Sequence, residues 1–140
     1  MPTMVNAKVE RSEYGPSWNL VYKIYPKLLR VFETCGFHTG RQPFVVGRLS
    51  ARHDAQALEV HLKANGFTPA VLAWKDSGEV LSMRKIDKHI FQWHIRLHSD
   101  GEIRGHYEYS SEGNPWGHVS SGVFEPDKDF FLELLQGFLV

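Results

Sequence analysis

The sequence predicts an α+β fold: a mixed, mostly antiparallel sheet built from a β-α-β unit followed by a four-strand meander, with helices packed mainly on one face. Three observations carry that expectation. Residues 91–98 and 102–109 alternate between apolar and polar on either side of Ser99-Asp100-Gly101, the signature of two half-buried strands joined by a tight turn. Leu20, Val21, Ile24, Leu28, Leu29 and Phe32 recur at helical spacing, as do Ala55, Leu58 and Leu62. Short apolar runs bounded by glycine and proline, Phe44-Val45-Val46 and Ala70 to Trp74, then supply further strands.

Taken in order, Met1 to Tyr14 shows no sustained period and reads as an arm, either loose or adding an edge strand. Ser17 is placed to cap a first helix. Pro26 falls inside it and cannot donate to Tyr22, so a kink or two short helices are expected, ending at Gly36. Strand 44–46 follows Pro43. Ser50 offers a cap for a second helix that Asn65-Gly66 terminates, with Phe67 packing back on its last turn. Strand, helix, strand is a crossover unit, so 44–46 and 70–74 are expected to run parallel. Val80 to Ile86 returns antiparallel ahead of the hairpin, Ser110 to Gly122 reads as loop, and Pro126 opens a last helix with Phe130, Phe131, Leu134, Leu135 and Phe138 on its apolar face.

The chain has 140 residues, 42% of them hydrophobic and 23% charged, enough for a single domain with one core. Formal charge balances to zero with histidine neutral, which excludes the basic field of a general nucleic-acid binder and makes any anion recognition local. The lone cysteine, Cys35, cannot form an internal disulfide and reads as a buried structural thiol. No apolar run approaches the roughly 18 residues of a spanning helix and the opening residues do not read as a leader. The expected setting is soluble and cytoplasmic.

The hairpin register can be argued. A two-residue Asp100-Gly101 loop would pair Leu97 with Arg104 and Trp93 with Glu108, mixing apolar and charged residues on one face. A three-residue loop with Gly101 left-handed pairs Phe91 with Tyr109, Trp93 with Tyr107 and Leu97 with Ile103, and makes that face uniformly apolar. The other face then sets His94 opposite His106, Arg96 opposite Arg104 and His98 opposite Glu102, with Glu108 diagonal to His94. Like charges so opposed weaken a sheet by some tenths of a kcal/mol, about the inverse of the 0.2 to 1 that good pairs contribute.

An anion held by Arg96 and Arg104 would turn that repulsion into attraction. Two imidazoles with different neighbours suit general acid and base roles near neutral pH, with Glu108 fixing one tautomer. His94, His106 and Glu108 are therefore the candidate catalytic residues, and Arg96, Arg104, Trp116 and His118 the candidate anion contacts, Trp116 by stacking on a base. The competing reading is a solvated polar face, with Trp116 pinning its loop to the core. The same groups would suit zinc or iron, but the two arginines raise the cost of a cation, so no metal is assigned. No Cys-x-x-Cys, His-Glu-x-x-His or glycine-rich phosphate loop occurs, and no cofactor is expected. His53 with Arg52, and His61, read as solvated or dipole-complementing residues of the second helix.

A helix preceding an antiparallel meander with His, Arg and Glu on its open face is similar to small microbial ribonucleases and ribosome-associated toxin nucleases, in architecture alone. The first functional expectation is thus a metal-independent phosphodiesterase or ribonuclease acting on RNA or another phosphate-bearing ligand. The alternative is a non-catalytic binding module that engages an anionic ligand or partner chain through the same face or the Trp116 loop. An unpaired edge strand would equally serve a homodimer.

Overall fold

In a computed structural model, the chain is described over residues 16–35, 44–70, 78–120, 123–124 and 128–140. Its elements run α1 (Pro16–Thr34), β1 (Phe44–Arg48), α2 (Ala55–Ala64), β2 (Thr68–Pro69), β3 (Glu79–Asp87), β4 (Phe91–His98), β5 (Glu102–Tyr109), α3 (Pro115–Ser120), β6 (Val123–Phe124) and α4 (Lys128–Leu134). The class is α+β, as expected. α1 belongs to one compact unit, and all six strands with α2, α3 and α4 belong to another.

The sheet order is β1-β5-β4-β3-β2, with β6 also pairing to β5. β2 to β5 form a four-strand meander, in which β3, β4 and β5 fall where expected. Every described pairing is antiparallel. β1 and β2 run in the same sense, but three strands lie between them and they occupy opposite edges of the order. The crossover's strands are therefore not neighbours, because the hairpin supplies β5 as the partner of β1. A strand is expected over 70–74; the described strand is instead Thr68–Pro69, Ala70 is not part of it, and residues 71–74 lie outside the described residues, as do the N-terminal arm, Gly36 and Pro126.

The hairpin has the three-residue loop. Gly101 takes a left-handed φ of 88° and donates its N–H to the His98 carbonyl at 2.9 Å, while Asp100 Oδ1 accepts from Glu102 N at 2.9 Å. The pairs Phe91↔Tyr109, Trp93↔Tyr107, His94↔His106, Arg96↔Arg104 and Leu97↔Ile103 follow. On the apolar face Met83, Ile95, Leu97 and Ile103 join Leu58 and Leu62 of α2, Phe67, Phe131 of α4 and Leu135 in one buried cluster. Gly105 is the position that lets α4 approach: a Cβ there would stand 2.7 Å from the Phe131 ring.

Several element boundaries differ from expectation, each for a local reason. α1 is one 19-residue helix that runs through Pro26, opened by Pro16 in the first turn, where the missing N–H costs nothing, and not capped by Ser17. Tyr22 is buried while Leu20, Ile24, Leu28 and Val31 of the same helix are exposed. Cys35, just past its end, is exposed rather than a buried thiol. Asp54, not Ser50, caps α2, its side chain accepting from Ala57 N at 2.8 Å. Ser50 instead closes a turn through His53 N. The C-terminus of α2 is as expected, with Gly66 at φ 87° and Phe67 N donating to Leu62 O. The stretch 110–122, expected as loop, contains α3, because Asn114 Oδ1 accepts from Gly117 N at 2.9 Å and Pro115 suits the first helical position.

Candidate functional site

Strand alternation places Gln92, His94 and Arg96 of β4 and Arg104, His106 and Glu108 of β5 on the face opposite the apolar cluster. The centre of that face is not solvated. His94, His106 and Glu108 are each 2% exposed, and Gln92 and Arg96 are buried as well. β3 extends it, because Ser82 pairs with Arg96 and Arg84 with His94. The reading of a wet polar surface therefore gives way to a buried polar layer, which must satisfy its own hydrogen bonds.

The imidazoles of His94 and His106 lie with ring centroids 4.7 Å apart, tilted by 59°. Glu108 Oε1 sits between them, 3.1 Å from His106 Nε2 and 3.8 Å from His94 Nδ1, and also accepts from Gln92 Nε2 at 2.7 Å. His94 Nε2 is 2.7 Å from the Ser82 hydroxyl. His94 Nε2 is therefore hydrogen-bonded to Ser82, whose hydroxyl can donate or accept, while Nδ1 faces the Glu108 carboxylate at 3.8 Å. Burial pushes the His94 pKa down from 6.5 to about 3, and the Glu108 contact does not compensate, since His106 and Arg96 repel an imidazolium there. His94 is thus a neutral imidazole at physiological pH.

The arginines are engaged within the chain. Arg96 Nε lies 3.4 Å from Glu79 Oε2, and Arg104 Nε bonds Glu102 Oε1, so each guanidinium of the like-charge pair faces a carboxylate. Arg104 is partly exposed, whereas Arg96 is not. Deeper in the layer, Arg84 grips Glu112 through two contacts of 2.7 Å and reaches Gln92 Oε1 at 3.2 Å.

His118 donates from Nδ1 to the Tyr109 carbonyl at 2.7 Å and stands 3.9 Å from Glu108 Oε2, so α3 is tied to the edge of the cluster. Trp116 is not part of it: its side chain is 79% exposed. The reading in which it is buried against the core is overturned by that exposure, and it is His118 that bonds the Tyr109 carbonyl. His53 and His61 are spent on α4 and its exit. Their rings stack on Phe138 at 4.2 and 4.5 Å, and they contact the carbonyls of Gly137 and Leu134.

The structure thus brings together His94, His106, Glu108 and Arg96, sets Arg104 and His118 at the margin, and holds Trp116 apart. Ser82, Arg84, Gln92 and Glu112 belong to the layer and were not read as site residues. A signal was present for the first two: carrying the hairpin's alternation back across residues 88–90 puts Ser82 and Arg84 on the histidine face. Among described residues that can hold a metal ion, one donor atom each of His94, His106 and Glu108 lie within 4.8 Å of one another. No described helix is long and apolar enough to cross a membrane. No family model, curated protein or solved structure matches the chain.

Proposed function

We propose that the chain is a non-catalytic interaction module that engages a partner polypeptide through Trp116. The observation that carries this reading is the contrast between an indole left 79% exposed and the firm seating of the helix that bears it. Tryptophan is mostly buried in folded proteins and is enriched among residues that dominate binding energy. Here its helix is capped by Asn114 and tied through His118 to Tyr109. Gly117 packs so closely that a Cβ would stand 2.7 Å from the Tyr109 ring. A large side chain on a fixed mount loses little freedom when covered. A polypeptide suits it better than RNA, since the balanced charge of the chain supplies no basic field.

A phosphodiesterase would need its substrate to touch His94 and His106. With each ring 2% exposed, and Arg96 and Arg104 held by Glu79 and Glu102, that approach is closed in this conformation.

The test replaces Trp116 with a photo-crosslinking amino acid in cells of the source organism, with Val60, 62% exposed on α2, as the control position. One discrete protein adduct at 116, absent at 60 and competed by wild type but not by Trp116→Ala, is expected. No adduct specific to 116 refutes the reading. Turnover of RNA that disappears in His94→Ala at unchanged melting temperature would replace it with the hydrolase.

A further inference from the structure

We propose that His94, His106 and Glu108 form a binding site for one divalent transition-metal cation, of the class to which zinc and ferrous iron belong. The donors are two imidazole nitrogens and one carboxylate oxygen, converging from adjacent strands to within 4.8 Å of one another. Two histidines and one carboxylate are the donor set borderline transition metals favour, whereas magnesium and calcium select oxygen ligands. All three side chains are 2% exposed, so most of the desolvation that binding requires has already taken place on folding.

A second observation points the same way. Among the described residues, Nδ1 of His106 is buried and has no hydrogen-bond partner. A buried polar nitrogen so left is costly, and native interiors rarely tolerate it. Nε2 of the same ring faces Glu108 Oε1 at 3.1 Å and is the atom a cation in the cluster would meet, the ring proton then resting on Nδ1.

The surroundings are those of a metal centre rather than of a chance cluster. In metal sites the second nitrogen of a ligating histidine is held by an oxygen partner, which orients the ring. Ser82 Oγ does this for His94 Nε2 at 2.7 Å, leaving Nδ1 as the ligating atom. Gln92 Nε2 holds the Glu108 carboxylate at 2.7 Å. The charge of Arg96, which argues against a cation, is offset by Glu79 at 3.4 Å, and that of Arg104 by Glu102. Three protein ligands leave at least one coordination position for a further donor. His118, 3.9 Å from Glu108 Oε2, marks the side of the cluster that faces α3.

The experiment uses the full chain, stripped with chelator, with cobalt(II) and zinc(II) alone as probes. One equivalent of cobalt per chain is expected, with visible bands of a low-coordinate N,O site and paramagnetic shifts on the His94 and His106 ring signals. Zinc should displace it and raise the melting temperature. His94→Gln, His106→Gln and Glu108→Gln are each expected to weaken binding at least tenfold, while His53→Gln and His61→Gln do not. Ser82→Ala, which keeps all three ligands, should weaken it by roughly 10-fold. Should a ligand variant fail to fold, the paramagnetic shifts in the wild type decide the matter. No uptake of cobalt, or shifts confined to His53, His61 or His89, overturns the proposal.

Discussion

Acidification of the metal-free protein should remove stability that a His94→Gln variant retains. Above a pH of about 6.5 His94 is neutral both folded and unfolded, and its ionisation contributes nothing to the balance. Below that value the unfolded chain takes up a proton that the folded chain, with the His94 pKa lowered to about 3, does not. Stability then falls by about 1.4 kcal/mol per pH unit until the pH reaches the folded value. Between about pH 7.5 and about pH 5 only the last 1.5 units count, which gives a loss on the order of 2 kcal/mol attributable to this one ring. For a chain of this length that is roughly 5–8 °C in melting temperature. Urea unfolding followed by tryptophan fluorescence, with chelator present, measures the stability of both proteins at each pH. The variant starts less stable, having lost the Ser82 and Glu108 contacts, but its curve should be flatter by about 2 kcal/mol over that range. Parallel curves for the two proteins would refute the reasoning, because the other titrating groups are common to both.

Three further outcomes follow from packing and pairing. Gly105→Ala places a methyl 2.7 Å from the ring of the fully buried Phe131 and should cost about 1–3 kcal/mol in a thermal melt, much of it recovered by adding Phe131→Leu. Arg84→Met and Glu112→Leu should each cost about 3–5 kcal/mol, since each strands a buried charge, whereas the double variant should cost less than either. A double-mutant cycle in denaturant reads the coupling, and additive losses would mean the pair is not coupled. Asp54→Ala should cost about 1 kcal/mol through loss of the α2 cap, with helix content reporting it by circular dichroism.

The hairpin was legible because its alternation is strict and only one loop length keeps the apolar residues together. Once Gly101 takes the left-handed turn, His94 must face His106. What the sequence could not convey was solvent. The same alternation describes a strand with one wet face and a strand with a polar but buried face, and the difference depends on distant residues. Arg96 and Arg104 therefore read as an anion clamp, although Glu79 and Glu102 neutralise them. Glu102, two residues from Arg104, was visible locally, but Glu79 meets Arg96 only through the β3–β4 pairing. α3 was missed because a six-residue helix has too little period to show, although Asn114-Pro115 carries its start signal. Ser50 and Asp54 are both of residue types that cap helices, and only the turn through His53 sets the start of α2 after Asp54.

The central claim is that two imidazoles meet inside the protein, away from water. Histidine-selective NMR on metal-free protein carrying a soluble gadolinium chelate tests it most directly. A ring-to-ring Overhauser effect between His94 and His106, with both signals staying sharp while exposed His89 broadens, is the expected result. Absence of that cross-peak, or broadening of both rings to the extent seen for His89, would contradict it.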